Sequence, residues 1–398
     1  MKNVLFVINT LGQGGAEVAM MQLMKKLQEN DCTIDLYVMI NQGELVHRLP
    51  EGVNLLNKDY DDTDVLSSKG KRHIASRLLR YSFKNNAFLH NLPYIFRNYR
   101  NMKKNNTVDI KKLLWKMISE NAPVFDKEYD LAISFLEGAS AYYTARYVKA
   151  KAKCVFIHID YELIGYNRML DEDCFDHFDR VFTVSDVVRE SFIHMYPEHE
   201  DKTMVFHNII DQEEIIARSR LDGGFEDDYS GTRILTVARL VDQKRLDVSI
   251  EACGKLIDEG YDIRWYVLGE GDQRKALSQL IEKNRLNDNF LLLGVKSNPY
   301  PYYAKCDLYV HCTQIEGKSI AIQEAMTLGC PVIVSDCSGN RDQVLDKENG
   351  LIVRFEVDEI VKAIKQLIDD REYARELGEN AAKVVLTSED MPKILELL

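Results

Sequence analysis

Short, continuously apolar runs alternate with helical patterns along this chain, and the alternation occurs twice. VLFVI, within residues 2–8, leads through a Gly-rich turn into a helical pattern over 16–27, and TIDLYVMI follows at 33–40. Strands this apolar belong to a parallel sheet covered by helices, whose building unit is β-α-β. Residues 65–120 interrupt the alternation with basic, aromatic, helix-like sequence, after which strand-like runs resume at 131–135, 153–159, 180–184 and 204–206. The polar stretch 209–231, ending in DGGFEDDYSG, reads as a linker. A second series then places strands at 233–238, 264–268, 290–293, 308–312 and 332–335, with helices beginning near Lys244, Arg274, Tyr300 and Ser319. The expected fold class is α/β, two Rossmann-like doubly wound domains facing each other across a cleft. The expected bounds are 1–208, 209–375, and a C-terminal helix over 376–398 that crosses back to the first domain. Ligands of such sheets bind beyond the carboxyl ends of the strands.

The 398 residues suffice for two or three domains at roughly 150 residues each. No apolar run approaches the ~18 residues of a membrane helix, and the N-terminal run is too short for a signal peptide, so a cytoplasmic protein is expected. Eight cysteines without a C-x-x-C pair read as reduced, structural thiols. His158 with Asp160, and Cys306 with His311 and Cys312, lack the spacing of a closed metal site, and no metal is expected. A net charge of −12 disfavours general nucleic-acid binding. The charge is uneven, however: residues 65–120 hold 13 Lys/Arg against two acids, which leaves −23 on the rest of the chain. Such an island suggests an anionic partner at one place.

Three loops carry residues suited to chemistry. Gly12, Gly14 and Gly15 follow the first strand and open a helix, so their backbone can approach an anionic or sugar ligand closely; a tight turn requiring positive φ is the alternative. This loop is no dinucleotide fingerprint, because Glu17 stands where the third glycine belongs. Arg239 ends a strand and Lys244, with Arg245, begins the helix after a short loop, where cations oppose the helix dipole unless a pyrophosphate fills the space. A solvated basic surface is the alternative there. The third loop runs from Glu316 through Gly317, Lys318, Ser319 and Ile320 to Glu324, after the apolar strand LYVHC and before the helix stop Gly329-Cys330-Pro331. Glu324 is the only ionisable residue of an apolar helix and needs hydrogen-bond donors, either ribose hydroxyls or a structural partner. Glu316 stands near the amides of residues 318–320, which suit a phosphate, and its carboxylate suits sugar hydroxyls.

The Glu316-x7-Glu324 spacing resembles the signature of the retaining glycosyltransferases of family 4, which have the GT-B fold. TVARLVDQKRLDVSIEA, VLGEGDQRKALSQLIEKNRLNDNFLLLG and TLGCPVIVSDCSGNRDQVLDKENGLIV resemble that family's segments around the two glutamates. GGAE, IHIDY and VFTVSDVVRESF resemble its first half more loosely. The resemblance implies transfer of a sugar from a nucleotide-diphosphate-sugar donor with retention, without a bound metal or other cofactor. It implies Arg239 and Lys244 on the diphosphate, Glu324 on the ribose, Glu316 on the donor sugar, Gly14 and Gly15 lining the donor, and His158 near the reacting centre; a core histidine is the alternative for His158. Gly317-Lys318-Ser319 departs from the family's usual Gly-Phe-Gly or Gly-Phe-Pro, so side-chain roles there do not carry over. The acceptor expected is a saccharide or lipid-linked saccharide in cell-surface polysaccharide synthesis, with no nucleic-acid partner. Cations interleaved with aromatics over 69–104 suit an anionic membrane surface, and a solvated helical insertion is the plainer reading. A nucleotide-sugar epimerase, a phosphorylase or a non-catalytic binding protein on the same fold are the rival functions.

Overall fold

The apolar runs are parallel strands in the computed structural model, which describes residues 1–161, 167–384 and 389–398. Two units are built this way, one from residues 1–209 with 388–398 and the other from 210–387. The first holds β1 (Lys2–Ile8), β2 (Cys32–Val38), β3 (Asn54–Leu55), β4 (Tyr129–Ser134), β5 (Ala150–Ile157), β6 (Arg180–Thr183) and β7 (Thr203–Val205), in the order β3-β2-β1-β4-β5-β6-β7. The second holds β8 (Thr232–Val237), β9 (Ile263–Leu268), β10 (Phe290–Gly294), β11 (Leu308–His311), β12 (Val332–Ser335) and β13 (Leu351–Val353), in the order β10-β9-β8-β11-β12-β13. Each sheet therefore winds outward on one side of its first strand, returns, and continues on the other side. The switch points fall between β1 and β4 and between β8 and β11, where crevices open at the carboxyl ends.

Burial on both sheet faces explains the apolar strands. In the first unit Phe135 stacks on Phe156 at 4.7 Å between ring centroids, and Phe156 meets Phe182 and Phe206 at 5.2 and 5.3 Å. In the second, the fully buried Trp265 donates its indole N–H to Thr236 Oγ1 at 3.0 Å, and Thr236 donates to the Val310 carbonyl at 2.6 Å. These bonds tie β9, β8 and β11 through groups that would otherwise be orphaned in the core. Each large apolar side chain so buried contributes roughly 1.5–3 kcal/mol.

Between β3 and β4 the basic segment folds as helices Ser68–Phe83, Ala87–His90, Leu92–Lys104 and Ile110–Glu120. Ser67 caps the first by accepting the Gly70 amide at 3.0 Å, and Asp109 caps the last by accepting that of Lys111 at 2.9 Å.

Three expectations need correction. β3 and β13, of two and three residues, are too short to show a period and were not anticipated. The helix expected to begin at Lys244 spans Leu246–Asp258, because Arg245 sits at φ +40° and separates it from a one-turn segment, Asp242–Lys244. Residues 376–398 are not one helix forming a third domain. Residues 376–382 complete the helix Arg371–Ala382 of the second unit, Pro392 near its start sets off a separate helix Met391–Leu395 grouped with the first, and residues 385–388 lie outside the described residues.

Candidate functional site

At the switch point of the second unit the loops after β8 and β11 are sewn together. Gln243 donates to the Ile315 carbonyl at 2.7 Å, Thr313 Oγ1 donates to the Gln243 carbonyl at 3.1 Å, and the Gln314 amide does so at 3.2 Å. Ser335 at the end of β12 takes the Thr313 amide at 2.8 Å and returns its hydroxyl to the Thr313 carbonyl at 2.7 Å. Gly339 then packs so closely that a Cβ there would collide with the backbone oxygens of Glu316 and Gly317, so glycine alone lets this segment brace the loop.

The result brings Lys244 against Glu316 in a short ion pair, their side chains 12% and 15% exposed. His311, the last residue of β11, adds its Nε2 at 3.1 Å from Glu316 Oε2 and 3.4 Å from Lys244 Nζ, while its Nδ1 meets the Tyr309 hydroxyl at 3.1 Å. Burial opposes ionisation of Glu316, but the Lys244 charge and the hydrogen bonds from His311 and Lys244 outweigh it and hold the carboxyl at about 2. Burial, reinforced by Lys244, pushes the His311 pKa down, against the pull of Glu316. Glu316 is thus a fixed carboxylate acceptor and Lys244 the cation beside it.

Arg239 follows β8, is exposed, and has no side-chain hydrogen bond or ion pair among the described residues. Arg245, by contrast, is committed to Asp247, with Nε–Oδ1 at 3.0 Å and Nη2–Oδ2 at 2.9 Å. Lys318 is half-buried, Ser319 is buried at the N-cap without a side-chain cap bond, and Ile320 opens the helix Ile320–Thr327. That helix ends in a Schellman motif: the Gly329 amide bonds to the Met326 carbonyl at 2.9 Å and the Cys330 amide to that of Ala325 at 3.0 Å, with Gly329 at φ +71°. Glu324, on its second turn, is buried and accepts the Tyr300 and Tyr303 hydroxyls at 3.1 Å each, one on either oxygen. The expected carboxylate acceptor is present, and tyrosines supply donors that the ribose reading left open.

In the first unit the glycine loop leaves β1 without positive φ. Gly14 is extended at φ −149° as the N-cap of the helix Gly15–Glu29, so the tight-turn alternative does not describe it. The Glu17 carboxylate folds over Gly14, where a Cβ would meet it. His158, just past β5, lies 5.0 Å from the Phe135 ring, and its Nε2 is buried without a hydrogen-bond partner among the described residues. Burial pushes its pKa down to about 4, against a hydrogen bond to the Phe135 backbone. Glu137, beyond β4 at the switch point, accepts the His158 amide at 3.3 Å, and burial pushes its carboxyl up to about 7.

Glu137, His311, Tyr300, Tyr303 and Gln243 were not assigned from the sequence. A Glu-Gly pair two residues beyond the strand LAIS, and a histidine near the end of an apolar strand, are the two signals that point to Glu137 and His311. His311 stands with Glu316 and Lys244 and not with Cys306, whose Sγ lies 3.9 Å from Cys330 Sγ. Among the described residues no three His, Cys, Asp or Glu side chains group as a metal-ion site.

Glu137 makes a measurable prediction. Its folded carboxyl, raised above the ordinary 4.5, favours the protonated form, so its stabilisation is complete below about 4.5 and is lost as pH rises through about 7. The displacement corresponds to about 3 kcal/mol. Glu137→Gln should flatten the fall in urea-unfolding stability between about pH 5 and 8 and make the protein more stable than wild type at the upper end; an unchanged slope would contradict the assignment.

Comparison with solved structures establishes the class of fold. The chain matches HepE from Anabaena, solved with UDP and glucose, at a TM-score of 0.69 and 16% identity, covering 100% of both chains. It matches Staphylococcus aureus TarM, solved with UDP, fondaparinux and α-GlcNAc-glycerol, at 0.68 and 15%, covering 100% of this chain and 99% of that one. The two parallel-sheet α/β units are those of the GT-B fold. In sequence, residues 227–384 match the family Glycosyl transferases group 1, a span that contains Arg239, Lys244, Glu316 and Glu324. The chain is 30% identical over 207 residues to the N-acetylgalactosamine-N,N'-diacetylbacillosaminyl-diphospho-undecaprenol 4-alpha-N-acetylgalactosaminyltransferase of Campylobacter jejuni, covering 52% of this chain and 54% of that protein. It is 28% identical over 162 residues to the poly(ribitol-phosphate) alpha-N-acetylglucosaminyltransferase of S. aureus, covering 40% and 33%. The chain thus spans about half or less of these relatives' length.

Proposed function

We propose that this chain is a retaining glycosyltransferase of family 4, carrying the Glu-x7-Glu motif, which moves a hexose-type sugar from a nucleotide-diphosphate donor to a saccharide or lipid-linked acceptor in cell-surface glycan synthesis. The observation that carries this reading is the Lys244–Glu316–His311 cluster at the switch point of the second unit, with exposed Arg239 on the adjoining loop. Departure of a nucleoside diphosphate builds negative charge on a phosphate oxygen. Arg239, Lys244 and the amides at the start of the helix Ile320–Thr327 address that charge where it develops. Glu316, ionised and rigidly held, accepts donor-sugar hydroxyls, and Glu324 accepts from the ribose beside its tyrosines.

The anomeric carbon–phosphate oxygen bond breaks while the acceptor oxygen bonds to that carbon on the same face. The acceptor proton passes to the departing phosphate oxygen, so no separate base is needed. Gly14 and Gly15 are assigned to the donor, while His158 and Glu137 are the candidate polar contacts of the first unit. The solved neighbours hold UDP, which makes a UDP-sugar the first donor to test. The reading includes no metal.

The test is a thermal-shift comparison of UDP with GDP, ADP and CMP, since a ligand bound by the native state raises the transition. Transfer from the matching sugar, with and without chelator, and the anomeric configuration of the product by NMR complete it. A product of unchanged anomeric configuration formed in chelator supports the proposal. Inversion, or activity lost in chelator and restored by a divalent ion, overturns the corresponding part.

A further inference from the structure

The basic segment between β3 and β4 turns apolar side chains outward together with its cations. Helix Ser68–Phe83 buries Gly70, Leu78 and Ser82, and on the opposite face exposes Arg72, Ser76, Leu79 and Phe83, spaced i, i+4, i+7, i+11. Helix Leu92–Lys104 buries Tyr94, Asn98 and Met102 and exposes Leu92, Phe96, Tyr99 and Lys103 at the same spacing. A soluble helix turns its large apolar side chains to the core; here Leu79 and Phe83 of the first helix and Leu92, Phe96 and Tyr99 of the second face solvent beside Arg72 and Lys103. Phe83 and Phe96 are 62% and 63% exposed, and Phe83 meets Phe88 of the connecting helix at 5.4 Å between ring centroids. Of the 13 exposed large hydrophobic side chains among the described residues, eight fall within 79–110, so this is a patch and not the scattered apolar exposure of an ordinary surface.

Cations flank the stripes. Lys69, Lys71, Arg80, Arg100, Lys103 and Lys104 form no ion pair among the described residues, although a protein with an excess of acids offers many partners. Arg97 is different, being paired with Glu172 at 3.0 Å, and Arg77 is half-buried against His73 at 2.9 Å. Among the described residues no helix is long and apolar enough to cross a membrane.

We infer that the outward faces of helices Ser68–Phe83 and Leu92–Lys104 dock this protein on an anionic lipid bilayer, the apolar side chains entering the headgroup boundary and the cations meeting lipid phosphates. Charge complementarity selects this occupant. A second copy would set a segment with 13 cations and two acids against its like, and the aliphatic Leu79, Leu89 and Leu92 match acyl chains and not the stacked bases of a nucleic acid. The inference stands on the insertion alone and is separable from the catalytic reading.

The experiment is cosedimentation with vesicles of phosphatidylcholine alone or mixed with phosphatidylglycerol, at low and physiological salt. The wild-type protein should bind the anionic vesicles only, and bind less as salt rises, because screening acts within about 8 Å at physiological ionic strength. Each neutralised cation should weaken binding about fivefold. Lys69→Gln/Arg80→Gln/Lys103→Gln should therefore lose on the order of 100-fold, and Phe83→Ser/Phe96→Ser should also bind weakly. All of these side chains are exposed, and unchanged thermal melts confirm folding. Transfer to a water-soluble acceptor should be unaltered in both variants. Absence of binding to anionic vesicles at low salt, equal binding to neutral vesicles, or unchanged binding by the folded variants would overturn the proposal. So would single-stranded RNA binding, or self-association abolished by Phe83→Ser/Phe96→Ser, in a protein that ignores vesicles.

Discussion

Lys244→Ala should reduce sugar transfer by on the order of 10²- to 10³-fold, the effect of deleting one donor aimed at developing transition-state charge. The same change should lower stability by about 3 kcal/mol at neutral pH, because it breaks a largely buried ion pair. Glu316 would keep only His311, whose ionisation burial disfavours, and would lose the Lys244 attraction that does most to outweigh its desolvation. The sign follows from linkage. Held at about 2, the wild-type carboxyl contributes stability that is full above its ordinary value near 4.5 and disappears as pH falls toward 2. Lys244→Ala should therefore show a shallower loss of urea-unfolding stability on that acid limb, alongside its loss of turnover. A folded variant with wild-type turnover would remove Lys244 from the leaving-group role, and an unchanged acid limb would remove it from Glu316.

Glu324→Ala should be the second large effect. Buried Tyr300 and Tyr303 both lose the carboxylate that accepts their hydroxyls, and a hydrogen bond to a charged group contributes about 1.5–3 kcal/mol, so a loss of about 3 kcal/mol in urea unfolding is expected. Stability alone does not distinguish a structural carboxylate from one that also serves ribose. Glu324→Gln does: one amide oxygen still accepts, the fold is better preserved, and a charge-assisted bond to the nucleotide is lost. UDP affinity by calorimetry should then fall on the order of 10- to 100-fold. Wild-type affinity in folded Glu324→Gln would confine Glu324 to holding its tyrosines.

Much of the site is legible because its residues violate local rules. Glu324 is a lone charge on an apolar helix, Lys244 is a cation ahead of a helix start, and Glu316 lies between an apolar strand and that helix. His311 and Glu137 are harder to find, since one histidine in LYVHC and one glutamate in SFLEGAS have ordinary local settings. Their significance comes from what stands beside them: Lys244 is 67 residues from His311, and the His158 amide that Glu137 accepts is 21 residues away. Tyr300 and Tyr303 are likewise 24 and 21 residues from the carboxylate they bind.

The sequence by itself determines every strand of the two sheets except the short β3 and β13, together with the helices between them and the position of the basic insertion, because period and apolar content are properties of neighbours along the chain. It determines which loops carry unusual charge for the same reason. Strand order, and with it which loops share a crevice, is decided only by tertiary structure: β11 could have been placed beyond β10, yet it pairs with β8, through Leu308 with Ile234 and Tyr309 with Leu235. That pairing brings Glu316 to Lys244 and sets the direction of their electrostatic coupling. The outward turn of Leu79, Phe83, Leu92 and Phe96 is also a tertiary outcome. A helical sequence specifies that a stripe exists, while the packing of Leu78, Tyr94 and Met102 against the rest of the first unit decides which face is left for water or a bilayer.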